Sequence, residues 1–543
     1  MAATPDVIVV GAGHNGLVAA GYLARAGLDV HVVERRGVVG GACVSEALWP
    51  GYKVSTTSYV TTLFDARIVR DFELARHGYR VYRQDPAFFQ PFPDGRSLLL
   101  RGEEGPDREE FRKFSARDAE RPPEFHDALG RLAALARAIA ESVPPLVPSW
   151  RPRDLLAALR LGRRALALSP GDLGRFVEIA TAGILDFIEP WFESEQVRAF
   201  YCSQAVIGAY GGVHTPGTAA LLLHDFLGGI DGAQGVWGVV RGGMGGLSEA
   251  LASAAREHGV TIRTRAAVER ILVEGGRACG VVLEGGEELR ARAVVSNADP
   301  RRTFLGLTPR EALPPEFVHA MEGYRSRGAA FKVHLALGEL PNFRAMATGP
   351  DGAPGPQHRG LIVLCPSAGY IERAWDEAKH GDISGEPMVE ACLHSVLDET
   401  AAPPGKHVMS CFVQYGALRL REGAWADRKR EAAERVIRVL AQYAPNVPDA
   451  VEAWHVYSPE DLETEFGLTG GNIYHGEMTP GQLFCFRPVA GYASYRTPLA
   501  ALYLCGAGAH PGGGVWGVAG RNAAREILRD LGGRTAASSP GAS

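Results

Sequence analysis

The chain has 543 residues, beyond the size at which one hydrophobic core stops growing, so two intertwined domains are expected. Its 46% hydrophobic and 22% charged residues, with a formal net charge of -5, describe a globular protein and argue against a nucleic-acid partner. Eight scattered cysteines without a CxxC pair or zinc-like spacing, no signal-like h-region at the start and no apolar run of ~18 residues lead to the expectation of a cytoplasmic protein with reduced thiols, no metal and no membrane span.

The first element is an apolar strand at Val7 to Val10. It is followed by Gly11-Ala12-Gly13-His14-Asn15-Gly16 and then by a helical pattern with Leu17, Ala20, Leu23 and Ala24 on one face. In this strand, turn and helix, Gly11 permits the tight turn, Gly13 lets the backbone approach a pyrophosphate, and Gly16 lets the helix pack on the strand. The phosphates would sit at the helix N-terminus, where unpaired N–H groups favour an anion. Gly27 ends the helix and a second strand runs from Val30 to Val33. Glu34 then stands ~20 residues after the glycines, where an acid binds unphosphorylated ribose hydroxyls.

Farther along, Gly242-Gly243-Met244-Gly245 opens a helix running to about Glu257. The stretch from Val260 to Val295 alternates strand and turn and closes on Ser296-Asn297-Ala298-Asp299-Pro300. No acid at ribose distance follows this second glycine turn, so no bound NAD(P) is expected. Near the end, a strand from Leu502 to Cys505 empties into Gly506-Ala507-Gly508-Ala509-His510-Pro511-Gly512-Gly513-Gly514-Val515-Trp516-Gly517 and a helix from about Val518 to Leu531. Aligned N–H dipoles at such a turn suit an electron-rich ring. The intervening stretches, 101–235 and 305–489, read as a sheet covered by helices, with β-segments at 328–338, 388–396 and 407–415; Tyr79 to Leu100 reads as a hairpin turning at Pro93-Asp94-Gly95.

The continuation Glu34-Arg35-Arg36-Gly37-Val38-Val39-Gly40-Gly41 resembles the extended FAD signature of glutathione reductase and amine oxidase-like flavoproteins. With the two later glycine segments in order, the chain is similar over most of its length to the phytoene desaturase-like FAD oxidoreductases, and especially to the branch named for a pyridine nucleotide-disulfide oxidoreductase domain. The resemblance implies an α/β fold: a Rossmann-type FAD-binding domain of the glutathione reductase/amine oxidase kind, from 1–100, 236–304 and 490–535, with a discontinuous α+β substrate domain and a disordered tail at 536–543. It implies one non-covalent FAD held by Gly11, Gly13, His14, Asn15, Gly16, Glu34, Arg35, Gly41, Ala42, Val268, Gly506, Gly508, Gly514, Val515 and Trp516. Ala507 stands where amine oxidases usually carry an acid, which argues against amine oxidation, and the disulfide chemistry of the branch name has no CxxC to perform it.

The activity so implied is redox chemistry on carbon-carbon bonds of an apolar polyene, isoprenoid or lipid-like molecule: desaturation by hydride transfer to the flavin. An ene-reductase or isomerase on the same site, an amine oxidase and a non-catalytic lipid-binding protein are the alternatives. No catalytic acid or base is fixed by the sequence; His510, Tyr210, His214 and Asp225 are the polar candidates. From 153 to 166, Leu155, Leu159 and Leu166 share one helix face and Arg153, Arg160 and Arg164 another, the pattern of a basic interfacial helix or of an ordinary lid. Only six of the 57 basic residues are lysines, a bias expected of a GC-rich bacterial genome. The oligomeric state is not legible.

Overall fold

The computed structural model describes residues 4–146, 148–230 and 232–532; the tail expected to be disordered lies outside them. The first strand, β1 (Val7–Val10), is buried at every position, as an interior strand of a parallel sheet covered on both faces must be. Gly13 caps α1 (His14–Arg25), which leads to β2 (Val30–Val33). After a long excursion the chain returns through α2 (Gly245–Glu257) and β3 (Thr261–Arg263), makes an antiparallel meander of β4 (Val268–Glu274), β5 (Arg277–Leu283) and β6 (Glu288–Arg290), and re-enters the sheet at β7 (Ala293–Ser296). A second excursion ends at β8 (Leu502–Leu504), followed by α3 (Val518–Leu531). The parallel order is β3-β2-β1-β7-β8, so the turns after β1, β2, β7 and β8 all leave the same edge. In such sheets that edge is where ligands bind. Helix α1 packs between α2 and α3.

Both excursions build a seven-stranded sheet in the order Val451–Tyr457, Ala330–Leu337, His407–Gly416, Ile383–Leu393, Leu361–Leu364, Phe88–Pro91, Ser97–Leu100. The strands expected at 328–338, 388–396 and 407–415 are its centre. Period-two alternation divides them. Phe331, Val389 and Val413 face the Trp425–Tyr443 helix, while Ala330, Met388 and Phe412 face a layer of helices between residues 104 and 226. The hairpin turns at Pro93-Asp94-Gly95 as the sequence indicates, with Gly95 at φ +84. Its place differs from the 1–100 boundary. Phe88 and Phe89 pair with Leu361 and Ile362, so the hairpin edges the seven-stranded sheet; its Phe and Leu side chains find apolar cover there on both faces.

Candidate functional site

A cavity of about 2090 Å³, counting its open mouth, runs from the β1–α1 turn to the face of the seven-stranded sheet. At one end it is floored by Gly11, Gly13, His14 and Asn15. Helix α1 starts with no side-chain cap, which leaves its first N–H groups for an anion. The Gly242–Gly245 turn makes an instructive contrast. Gly242 N–H donates to Asp398 at 2.6 Å, Met244 N–H to Ser55 Oγ at 3.0 Å and Gly245 N–H to Ser45 Oγ at 2.9 Å, so the entry to α2 is already filled by the protein itself. Of these two turns, the first is the one open for phosphate.

Glu34 stands at the end of β2, buried against the cavity. One carboxylate oxygen accepts the Ala12 N–H at 2.8 Å and the other the Arg36 N–H at 2.9 Å, which fixes the group beside the glycine turn at a ribose's reach. Gly40, Gly41 and Ala42 bring a second loop over the first; Gly40 N–H donates to Ala12 O at 2.8 Å. Val268, at the start of β4, walls the same end with Ala266, whose N–H donates to Glu34 O. Arg35 lines the cavity, but its guanidinium reaches across to the Thr464 and Glu465 carbonyls and ties the two halves of the wall. Gly514 and Val515 line the cavity from the third glycine segment, both at positive φ, +109 and +55.

Gly16, Gly506, Gly508 and Trp516 stand behind the wall and do not line it. Gly508 allows close packing: a Cβ there would lie 2.2 Å from Pro300 Cδ. Trp516 packs its ring edge against His224 at 5.7 Å. Among the polar candidates only Asp225 reaches the cavity, beside the His224 ring at 3.3 Å, and burial raises its pKa. Tyr210 and His214 line a separate surface depression with Trp375. His510 turns its Nε2 to the Ile139 carbonyl at 3.0 Å, and burial pushes it down to about 4, so it is neutral and offers no cation for a reduced ring. Desolvation there outweighs every contact that would favour the charged form.

Four cavity residues, Tyr59, Lys332, Glu390 and Phe412, are not singled out by the sequence. Lys332, Phe412 and Glu390 are direct cross-strand neighbours on three adjacent strands and point the same way, into the cavity. Lys332 is 2% exposed, its Nζ has no hydrogen-bond partner among the described residues, and it lies 3.6 Å from the centroid of the Tyr59 ring. Burial pushes its ammonium down to about 7. Glu390 is pushed up to about 7, again by burial, while the Tyr59 hydroxyl and Gln204 Nε2 donate to its two oxygens. Both groups are thus driven towards their neutral forms. A signal exists: one lysine, of six in the chain, at an inward position in a strand whose other residues are apolar except His334. Arg487 is a further residue that the sequence does not single out. Wholly buried, its guanidinium donates to the carbonyls of Tyr474, Gly476, Glu477, Gln482 and Ala507 and clamps the third glycine segment to the loop carrying His475.

The residues fit an adenine-flavin dinucleotide: an uncapped glycine cradle, a fixed acid, and a half-buried His14 whose inward Nε2 has no partner among the described residues and whose desolvation holds it at about 4. The cavity's far end is walled by Val60, Leu63, Ile207 and Phe412.

Comparison with known proteins agrees. The family model described as flavin containing amine oxidoreductase matches residues 16–528. Pyridine nucleotide-disulfide oxidoreductase domain-containing protein 2 of Rattus norvegicus is 41% identical, the alignment covering 97% of this chain and 94% of that protein. Hydroxyneurosporene desaturase of Cereibacter sphaeroides is 29% identical over 98% of this chain and 99% of its own. Among solved structures, cyclohexylamine oxidase from Brevibacterium oxydans superposes with a TM-score of 0.59 at 19% identity, covering 98% of this chain and 100% of that one, which shows the fold. The relative at 41% identity is mammalian, so the scarcity of lysine does not decide the source. From the fingerprint, the cavity and these matches together, the chain belongs to the flavin-containing amine oxidoreductase family and is an FAD-dependent oxidoreductase.

Proposed function

We propose that the enzyme oxidises a carbon-carbon bond of an apolar polyene, isoprenoid or lipid-like substrate to a double bond. The observation that carries this reading is the cross-strand set of Lys332, Phe412 and Glu390 in a chamber that Val60, Leu63 and Ile207 also wall, across the cavity from the glycine cradle. Gly11, Gly13, His14, Asn15, Glu34, Gly41, Ala42, Val268, Gly514 and Val515 would hold FAD there. When bound, it supplies the acceptor for the hydride that leaves one carbon. The chain must then take a proton from the neighbouring carbon.

Lys332 is suited to that task. At neutral pH a large fraction of its amine is unprotonated, its lone pair faces the chamber, and the ammonium formed by proton capture rests over the Tyr59 face. Ionised Glu390 stabilises that charge, and the apolar walls keep bulk water from competing for the proton. Leu63, Ile207 and Phe412 orient the substrate by contact alone, which suits a molecule without polar handles. The same walls serve the reduction or isomerisation of a double bond, and the direction is set by the electron carrier. Sequence similarity to a desaturase over nearly the whole chain favours oxidation.

Anaerobic bleaching of the flavin tests the proposal. Carotenoid polyenes and terpenes in detergent are expected to bleach it while a panel of primary and secondary amines does not. Bleaching by amines with release of aldehyde would overturn the reading, and bleaching by NAD(P)H alone would reverse its direction.

A further inference from the structure

Nine large hydrophobic side chains are exposed among the described residues, and seven of them fall between residues 150 and 177. The Pro152–Ala165 helix is the centre of this patch. Asp154 is its one buried residue, whereas Leu155, Leu156 and Leu159 are 47%, 46% and 60% exposed. Trp150 just before it and Leu166 just after are 89% and 82% exposed, and Val177 on the following helix is 58% exposed. A 14-residue helix that buries one acid and shows its leucines to water is not held by its apolar face.

The charges specify what covers that face. Residues 148–166 carry five arginines, Arg151, Arg153, Arg160, Arg163 and Arg164, against one acid, Asp154, in a chain whose net charge is -5. Asp154 is turned inward to Ser149 Oγ at 2.7 Å. Arg153 pairs with Glu526 at 3.4 Å; Arg160, Arg163 and Arg164 have no ion-pair partner among the described residues. On the helix, Leu155, Leu159 and Leu166 form one stripe, Arg163 flanks it, and Arg153, Arg160 and Arg164 form a second stripe farther round the helix. A second copy docking face to face would bring like charge against like charge. An anionic lipid surface meets both features: acyl chains take the leucines and Trp150, while the arginines reach up to the headgroups.

We infer that the 150–177 face of the helical layer is a docking surface for anionic membranes. No helix among the described residues is long and apolar enough to cross one, so the contact lies in the interface. The location gives it a use. The Pro152–Ala165 helix packs on the Pro122–Glu141 helix, which packs on the Ala219–Phe226 helix, and His224 and Asp225 of the latter wall the cavity. The docked face is therefore the outer side of the layer whose inner side meets substrate. The surface stands on exposure and charge, independently of the chemistry assigned to the cavity.

Sedimentation of the flavin-loaded protein with phosphatidylcholine vesicles, with and without phosphatidylglycerol, tests it. Binding to the anionic vesicles is expected to exceed binding to the neutral ones by about tenfold and to fall with added salt. L155E/L159E is expected to abolish binding, and R160Q/R163Q/R164Q to remove the preference for anionic lipid, both with an unchanged flavin spectrum because every altered side chain lies on the outer face, away from the cavity. Wild-type protein that stays in the supernatant at low salt would overturn the inference, as would a wild-type dimer in solution that L155E/L159E converts to monomer. Bleaching by detergent-dispersed substrate does not require the patch, so a failure of the vesicle result and a failure of the proposed chemistry are read separately.

Discussion

Lys332 shows how burial alone makes a reagent from an ordinary side chain. In water its amine is protonated at every physiological pH; in the chamber, with no partner for its Nζ among the described residues, the charged form is held down to about 7. A base must be unprotonated to act, so the rate of flavin bleaching should rise as pH climbs through about 7 and level off above it. Lys332→Met is expected to slow bleaching by roughly 10² to 10⁴ and to erase that limb while leaving flavin content unchanged. An unaltered limb in the variant would assign the proton to another group, with Glu390, also at about 7, the first to examine. Glu390 is not legible in the sequence, and Lys332 shows there only as a lone lysine in a mostly apolar strand. The fingerprint residues can be read because each obeys a local rule of turn geometry, whereas Lys332 and Glu390 acquire meaning only from cross-strand register across 58 positions of sequence that no local rule spans.

At the scale of elements, the parallel sheet is legible and the assignment of the hairpin is not. Strand β1, α1 and β2 follow from glycine punctuation and apolar runs, and the helix expected from Val518 to Leu531 is found there. The Phe88–Pro91 and Ser97–Leu100 pair reads as a hairpin from its turn residues, but which sheet it edges depends on the Leu361–Leu364 strand, more than 250 residues away. Long-range pairing also explains why the far side of the seven-stranded sheet matters to the site. The Trp425–Tyr443 helix covers that side, with Trp425 1% exposed and its indole N–H donating to Ala417 O at 2.8 Å. Trp425→Ala should cost about 3–5 kcal/mol, read as a lowered denaturant midpoint, because the helix cannot collapse onto a rigid sheet to fill the void. A loss below about 1 kcal/mol would mean that the helix is not needed to hold the sheet face that carries Lys332.

For the whole molecule, function comes from bringing two sheets edge to face. The parallel sheet ends in turns that present free N–H groups and Glu34; the seven-stranded sheet presents the face that carries Lys332, Phe412 and Glu390. Arg35 and Arg487, both reaching backbone carbonyls in the other half of the wall, hold the two in register. The chemistry claimed for this arrangement is the removal of two hydrogens from adjacent carbons. Mass spectrometry of the product after one anaerobic turnover, with a carotenoid polyene or a terpene as substrate, tests that claim most directly. The product should be two hydrogens lighter than the substrate, with one flavin reduced for each molecule formed; an unchanged mass, or product formed while the flavin stays oxidised, would contradict it.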